Sequence, residues 1–455
     1  MKRNIALLIV FLSILGTGCT QQHKNQSATS LSFSYDSSVS SSESFYSQEE
    51  NNQDNNNEQI QLISGTNFSE GNALIEYYIG TEGKTNLGVL SIDGSIIPVD
   101  NDGISYSYKS KFSNGYAYYN YAPGNSNYSH HGFGIVNCSG EKIFNSEDDA
   151  DYEVVCGEGN WYLVKKKIRT MDTSEDLYGI IESNGNWKMK PQADLLLGKQ
   201  DIDKKGKKGA SDYRYLGNGY FAVSYEAGYN KWYNVILNAK DKQIIDMPAS
   251  NLSVIGTCNG FVIGAIDGFG GGIYRINNDT SSDLIFSFDD YSYVICSENL
   301  IFNVDIKGRN PYFIDTDGNV VLDLSSYSIN TNYYLKAIDF QNGYSSVIFQ
   351  GADNNSYLMI IDNKGSCKFE PLQVNSAGKY IDGYVGCFIP NLGSSWVDEN
   401  GNVSPCTFPE EILDGSSVTS YTQLYFYNGY AYVPYSDSAP CYVSKTGEKM
   451  TLYIQ

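Results

Sequence analysis

The sequence predicts an all-β repeat protein, and three observations support that prediction. The 455-residue chain contains 39 Tyr and 20 Phe, which favour strands, and 44 Gly, which favours turns, against only 11 Pro. No window longer than about two helical turns has apolar residues at helical spacing. Two kinds of short segment also alternate along the chain at a nearly constant interval, as in proteins built from repeated units.

The first kind of segment is a tight turn followed by an aromatic strand. Its clearest copies are FSNGYAYY, around Gly115, and FYNGYAYV, around Gly429. Asn-Gly and Asp-Gly supply the positive φ angles that tight hairpin turns require, so each copy predicts a hairpin. Further copies place the same turn position at Gly71, Gly159, Gly219, Gly260, Asn299, Gly343 and Gly383.

The second kind of segment is a strand that ends in a polar turn, as in LGVLSIDGSI and FGIVNCSGEKI. The glycines of these turns are Gly94, Gly140, Gly185, Gly318, Gly365, Gly401 and Gly447. One segment of each kind makes a unit of roughly 44 residues with room for four short strands, and about nine units fill 61–455. We therefore expect a β-propeller of about 7–9 four-stranded blades, with an open β-solenoid as the alternative.

The two segments together resemble the WG repeats of bacterial proteins, which run roughly F-x-x-G-x-A-x-V followed by G-x-W-G-y-I-D-x-x-G. Leu87, Phe133 and Tyr178 stand where that family has its Trp. The next residue in each case is the family's Gly, here Gly88, Gly134 and Gly179. The resemblance implies a repeated β fold over 61–455 and no particular activity, since a fold does not define a function.

The N-terminus, MKRNIALLIVFLSILGTGC, has the pattern of a secretory signal. Lys2 and Arg3 precede an apolar run that is too short to cross about 30 Å of hydrocarbon. The ending LGTGC resembles the lipobox of bacterial lipoproteins, although Gly16 stands where that family usually has Leu. The resemblance implies a signal peptide at 1–18, a lipid on Cys19 and a membrane-anchored, extracytoplasmic protein. An ordinary secretory signal cut elsewhere is the alternative.

Residues 19–60 are rich in Ser, Asn and Gln, and we expect a disordered tether because such a segment buries little apolar surface. The formal net charge of −21 argues against nucleic acid as a partner. One basic cluster, KQDIDKKGKKGASD, interrupts the longest unit. We interpret it as a solvated loop, with a docking loop for an anionic polymer as the alternative.

Candidates for chemistry are few. His130 and His131 are adjacent, and neighbours in an extended segment face opposite ways, so we interpret them as loop residues. The turns DTDGN, at Asp315, and DENGN, at Asp398, begin like calcium loops but lack the later bidentate acid. Hairpin turns are the preferred interpretation and calcium loops the alternative. We expect no catalytic residue, no cofactor and no metal.

Three cysteines, Cys156, Cys258 and Cys296, occupy equivalent positions in separate units, two or three residues before the turn. Bridging requires Cα atoms within about 7 Å, which such positions seldom offer. We therefore expect them to be reduced, buried and part of the packing.

Tyrosines are crowded in the second and the last units, which become near neighbours if the ring closes. Alternate residues of a strand face opposite sides, so one set could pack inside while the other forms an exposed patch for sugars or peptides. Packing between blades is the alternative. The candidate patch consists of Tyr116, Tyr118, Tyr119, Tyr121, Tyr430 and Tyr432.

These observations together favour a lipid-anchored binding or scaffold protein of the cell envelope over an enzyme. Its expected partners are the membrane, through the anchor, and an envelope protein or glycan. A carbohydrate-active or other hydrolase on a propeller is one alternative, although no local motif marks the paired carboxylates that it would need. A purely structural surface component is the other.

Overall fold

A computed structural model describes most of the chain from residue 59 onward. The described residues are 59–80, 84–100, 105–122, 131–146, 151–169, 174–193, 195, 210–228, 231–246, 253–258, 261–266, 270–277, 282–288, 293–297, 300–304, 312–315, 317–327, 335–337, 340–413, 420–434 and 439–455. The expected signal peptide, Cys19 and most of the tether lie outside them. Strands dominate this described part, and none of its helices could span a lipid bilayer.

The described strands group into nine sheets in chain order. Sheet one contains β1 (Ile60–Gly65), β2 (Asn72–Ile79), β3 (Asn86–Ser91) and β4 (Ser95–Asp100). Sheet two contains β5 (Ser105–Lys109), β6 (Tyr116–Ala122), β7 (Gly132–Asn137) and β8 (Lys142–Asn145). Sheet three contains β9 (Asp151–Glu158), β10 (Trp161–Arg169), β11 (Ser174–Glu182) and β12 (Trp187–Gln192). Sheet four contains β13 (Ala210–Gly217), β14 (Tyr220–Gly228), β15 (Lys231–Asn238) and β16 (Gln243–Asp246). Sheet five contains β17 (Ser253–Cys258), β18 (Phe261–Ile266), β19 (Gly270–Ile276) and β20 (Ser282–Phe288). Sheet six contains β21 (Tyr293–Ser297), β22 (Leu300–Val304), β23 (Tyr312–Asp315) and β24 (Val320–Asp323).

Sheets seven and eight complete the four-stranded series, and sheet nine has two strands. Sheet seven contains β25 (Leu335–Ala337), β26 (Tyr344–Gln350), β27 (Ser356–Asp362) and β28 (Leu372–Val374). Sheet eight contains β29 (Ser376–Ile381), β30 (Tyr384–Ile389), β31 (Gly393–Asp398) and β32 (Val403–Pro405). Sheet nine contains β33 (Tyr430–Val433) and β34 (Cys441–Ser444). The last strand, β35 (Tyr453–Ile454), joins sheet one. Three short 3-10 helices span Leu324–Tyr327, Glu410–Leu413 and Tyr421–Gln423.

The turns between the first and second strands confirm the hairpins expected from the Asn-Gly motifs. Both central residues have positive φ, as in Asn114 at 52° followed by Gly115 at 78°. Two consecutive positive φ angles define the tight turn that matches the twist of antiparallel strands. The same pairing occurs at Glu70–Gly71, Asn218–Gly219, Asn342–Gly343, Asp382–Gly383 and Asn428–Gly429.

The Asp-rich segments are also hairpin turns, here between the third and fourth strands. One carboxylate oxygen of Asp398 accepts hydrogen bonds from the backbone N–H groups of Asn400 and Asn402, at 2.9 and 2.8 Å. Asp315 binds the backbone N–H groups two and four residues further on in the same way, at 2.9 Å each. Each carboxylate therefore caps its own turn.

The hydrophobic core lies between successive sheets rather than within one of them. Leu74 of sheet one packs with Tyr119 and Val136 of sheet two. On the other side of sheet two, Phe133 packs with Tyr162 of sheet three. Sheet two is therefore covered on both faces, which is the packing of propeller blades.

The two ends of the repeat array meet, so the propeller is closed. Strand β35 pairs with β4 in parallel, and the backbone N–H of Tyr453 donates to the carbonyl oxygen of Gly94 at 3.1 Å. Phe68 of the first unit and Tyr442 of the last belong to one buried cluster. The open solenoid alternative is wrong, because an open array would leave these surfaces far apart.

Candidate functional site

Most of the candidate tyrosine patch is core. Tyr119 and Tyr121 of β6 are buried, and each lies directly opposite a glycine of β7, namely Gly134 and Gly132. An added Cβ at Gly134 would come within 2.3 Å of the Tyr119 ring, so the missing side chain makes room for the ring. Tyr118, on the other face, is also buried. The expectation that these three residues form an exposed patch is wrong, because sheets one and three cover both faces of sheet two.

The other three tyrosines of that candidate patch are half-buried and lie at blade interfaces. Tyr116 packs beside the cluster between sheets two and three. Tyr430 and Tyr432 pack beside the cluster that joins sheets nine and one, and the Tyr432 hydroxyl accepts a hydrogen bond from the Gly65 N–H at 3.0 Å. Packing between blades, the alternative interpretation, therefore describes the environment of all six residues.

The remaining sequence candidates do not converge on a site. His131 is described, and its backbone N–H donates to Asp151 at 3.2 Å, whereas His130 and the lysines of the basic cluster lie outside the described residues. Cys156 is in no disulfide, as expected, but it is half-buried rather than buried. The side chains of Cys258 and Cys296 lie outside the described part. No group of three or more His, Cys, Asp or Glu in that part is placed to hold a metal ion.

The connections between strands lie at two opposite ends of the propeller, because each sheet is an antiparallel meander. In a four-stranded meander, the turns after the first and third strands lie at one end, which we call the turn face. The turn after the second strand and the link to the next sheet lie at the other end, which we call the loop face. The loop-face connections after the second strands differ in length, from two residues between β14 and β15 to nine residues between β6 and β7, whereas the turn face has short hairpins.

Carboxylates on the turn face tie neighbouring sheets together. Glu70, in the first turn of sheet one, accepts hydrogen bonds from the N–H groups of Asn114 and Gly115 in sheet two, both at 2.8 Å. Asp382 of sheet eight binds the N–H of Gly429 in sheet nine at 2.7 Å. These acids satisfy exposed turn donors, so the turn face is stabilised from blade to blade.

A cavity of about 380 Å³ lies beside sheet seven. Its floor and walls include residues 351–353, from the loop between β26 and β27, so it belongs to the loop face. Tyr327 comes from the 3-10 helix that follows sheet six, and Phe349 and Tyr357 come from β26 and β27. We call this the β26–β27 pocket; its lining residues are Tyr327, Phe349, Gly351, Ala352, Asp353, Tyr357, Glu370 and Pro371.

The β26–β27 pocket combines three aromatic rings with two acids. The Phe349 and Tyr357 rings are stacked with centroids 5.6 Å apart, and Tyr327 is tilted against Phe349 at 6.3 Å. The Tyr357 hydroxyl donates to Asp353 at 2.7 Å. That bond lowers the pKa of Asp353, with further help from Asn355, and it raises the pKa of Tyr357. Asp353 is therefore a carboxylate at neutral pH.

Sequence reasoning missed this pocket. Its acids and rings come from a loop, two strands, a 3-10 helix and the segment before β28, and none of these carries a motif. The only local signal is GADNNS, which by itself predicts a polar turn.

Comparisons with known proteins add no functional assignment. No protein-family model matches the chain, and no curated protein matches it. A solved prolyl endopeptidase is similar at 9% identity and a TM-score of 0.36, over 67% of this chain and 47% of that one. Prolyl oligopeptidase B from Galerina marginata is similar at 9% identity and 0.36, over 79% and 57%. An uncharacterized protein from Listeria monocytogenes is similar at 10% identity and 0.34, over 87% and 95%.

The chain spans about half the length of the two prolyl peptidases. The strand pairing and the ring closure of this chain define the propeller.

Proposed function

We propose that this chain is a lipid-anchored binding or scaffold protein of the bacterial cell envelope, which presents the loop face of its propeller to a protein or glycan. The contrast between the two faces supports this proposal most. The turn face consists of short hairpins, some of them tied together by carboxylates, whereas the loop face has connections of unequal length and the β26–β27 pocket. Loops held by a rigid scaffold are the usual place for recognition.

The N-terminal segments would hold the propeller at the outer side of the membrane. Lipid on Cys19 would hold the chain at the membrane, and a flexible tether of about 40 residues would separate the propeller from it by roughly 30–40 Å. The net charge of −21 would keep the propeller away from anionic headgroups. Cys19→Ala should move the protein from the membrane fraction to the medium or leave it uncleaved. Wild-type protein that partitions wholly into the aqueous phase of a detergent extraction would contradict the anchor.

The partner can be sought by pull-down of the native protein from its own cells, with each face masked in turn. Cys138 is an exposed thiol in the turn between β7 and β8, so a polyethylene glycol maleimide on it covers the turn face. Leu392, in the loop between β30 and β31, is 68% exposed. In the double variant Cys138→Ser/Leu392→Cys, the same polymer covers the loop face. Peptide mapping confirms the labelled thiol in each case.

We expect the polymer at position 392 to abolish capture of the partner and the polymer at Cys138 to leave capture intact. The reverse result would contradict recognition at the loop face. Turnover of chromogenic glycosides or peptides by the purified protein would favour the hydrolase alternative. Capture of no protein or glycan by the unlabelled protein would favour a purely structural role.

A further inference from the structure

The β26–β27 pocket has the composition of a site for a positively charged group. Three aromatic rings line it, and the faces of such rings attract cations within about 6 Å of the ring centre. Asp353 and Glu370 add two carboxylates, and none of the lining residues is basic. A neutral or anionic occupant would leave these acids without a counter-charge.

The two acids are held differently. Asp353 is fixed by the Tyr357 hydroxyl at 2.7 Å and by the side chain and backbone N–H of Asn355, at 2.7 and 3.1 Å. Glu370 is exposed and has no hydrogen-bonding or ion-pairing partner among the residues that the structure describes. Asp353 is therefore preorganised, which lowers the entropic cost of binding, whereas Glu370 can move toward a ligand and loses side-chain freedom when it does so.

A glycine keeps the pocket open. A Cβ on Gly351 would come within 2.8 Å of both the Tyr357 ring and an Asp353 carboxylate oxygen. Its backbone is not left-handed, so the surrounding side chains, and not the turn geometry, disfavour a larger residue at this position. The volume of about 380 Å³ lies near the lower end of ligand pockets, which are about 300–1,000 Å³, and so suits one small group.

We propose that the β26–β27 pocket binds an organic cation, an ammonium group carried on a short apolar stem, beside the packed rings of Tyr327, Phe349 and Tyr357 and within reach of the carboxylates of Asp353 and Glu370. This inference rests on the proposed binding function and names the ligand chemistry of one site on the loop face. The ammonium group can come from a lysine side chain of a partner protein or from a small quaternary amine. The experiment below separates these two sources.

The test uses the purified, full-length mature protein in detergent and four probes, with binding followed by calorimetry. Choline is compared with 3,3-dimethylbutan-1-ol, which has the same shape with carbon in place of the charged nitrogen. N-acetyl-lysine amide is compared with N-acetyl-norleucine amide. We expect at least one cation to bind tenfold or more tightly than its neutral counterpart, a difference of about 1.4 kcal/mol. The better cation identifies the source.

Variants connect binding to the pocket. Glu370→Gln removes a carboxylate that has no described partner, so it should weaken cation binding severalfold without changing the fold. Tyr327→Ala removes one ring and should weaken it further. The matched control is Glu448→Gln, an exposed acid on the turn face, which should have no effect.

Three results would overturn the proposal: equal binding of cation and neutral counterpart in both pairs, no binding of either cation at millimolar concentration, or unchanged binding in Glu370→Gln. If any of these occurs while polymer at position 392 still blocks capture of the partner, only the pocket inference fails. If the polymer has no effect, the proposed function fails as well.

Discussion

The hydroxyl of Tyr442 donates a hydrogen bond to the carbonyl oxygen of Thr66 at 2.6 Å, and it joins residues that are 376 positions apart. The Tyr442 ring also packs against Phe68, with centroids 4.8 Å apart. Tyr442 lies in β34 of the last sheet, and Thr66 follows β1 of the first. Closure of the ring therefore includes a part-buried polar contact as well as strand pairing.

Tyr442→Phe should destabilise the propeller by about 1–3 kcal/mol, since it removes a donor and leaves the Thr66 carbonyl without that bond. Urea unfolding followed by circular dichroism measures the change. Tyr425→Phe, at a partly exposed position, is the control and should leave the free energy of unfolding nearly unchanged. Equal stability of the two variants would mean that the hydroxyl plays no part in closure.

Removal of the last sheet tests closure on a larger scale. Deletion of residues 415–455 takes away Tyr442, Tyr432 and β35, so the cluster that joins sheets nine and one loses one side. We expect the whole propeller to lose stability, because sheet one then exposes apolar surface to water. A truncated protein that stays soluble and unfolds at the same urea concentration as the full chain would contradict closure.

Glu70→Gln should weaken the link between sheets one and two. Both carboxylate oxygens of Glu70 accept backbone N–H groups, whereas an amide offers only one acceptor oxygen and no charge. We expect a loss of about 1 kcal/mol in the free energy of unfolding. Glu448→Gln, which removes an acid without such contacts, is the matched control. A loss as large in the control as in Glu70→Gln would assign the effect to net charge instead of to the turn.

The repeat could be predicted from sequence because its signals are local. Asn-Gly pairs such as Asn114–Gly115 specify their turns through their own φ angles, whatever surrounds them. Burial of Tyr119 could not be predicted in this way. It depends on the register that sets Tyr119 opposite Gly134 and on coverage by sheet one, which are relationships between distant segments. The alternation of side chains along β6 predicts that the strand has two faces. It does not indicate that neighbouring blades cover both of them.

The β26–β27 pocket could not be predicted from the sequence either, because it also depends on contacts between distant segments. Tyr327 and Glu370 belong to different parts of the chain and approach one another only because sheets six and seven are adjacent blades. A periodic pattern indicates where strands recur, and it contains no information about which side chains from successive blades share a cavity.

Tyr119→Ser/Tyr121→Ser should behave as a core double variant. Each substitution removes a buried ring, and truncation of a buried aromatic side chain costs about 3–5 kcal/mol. We expect low solubility and a large loss in the free energy of unfolding. Tyr108→Ser, at a position that is 51% exposed in the neighbouring strand, is the control and should have a much smaller effect. Unchanged stability of the double variant would restore these residues as surface candidates.

The thiols give a prediction with a defined pH range. Cys387 of β30 is fully buried, and burial, with a smaller effect of Cys406, raises the pKa of its thiol to about 12. Cys138 is exposed. An alkylating reagent at pH 8 should therefore modify Cys138 in the folded protein and reach Cys387 only after unfolding, because the thiolate is the reactive form.

The same pKa makes stability depend on pH. Above about 8.5 the Cys387 thiol ionises in the unfolded chain but stays protonated in the folded one, so the unfolded state binds fewer protons. The contribution of this thiol to stability is complete below that pH and is lost as the pH rises toward 12. Wild-type protein should therefore lose stability between pH 9 and pH 11 more steeply than Cys387→Ala, by up to about 1.4 kcal/mol per pH unit. Parallel curves for the two proteins would show that Cys387 ionises equally in both states and is not shielded by the blade.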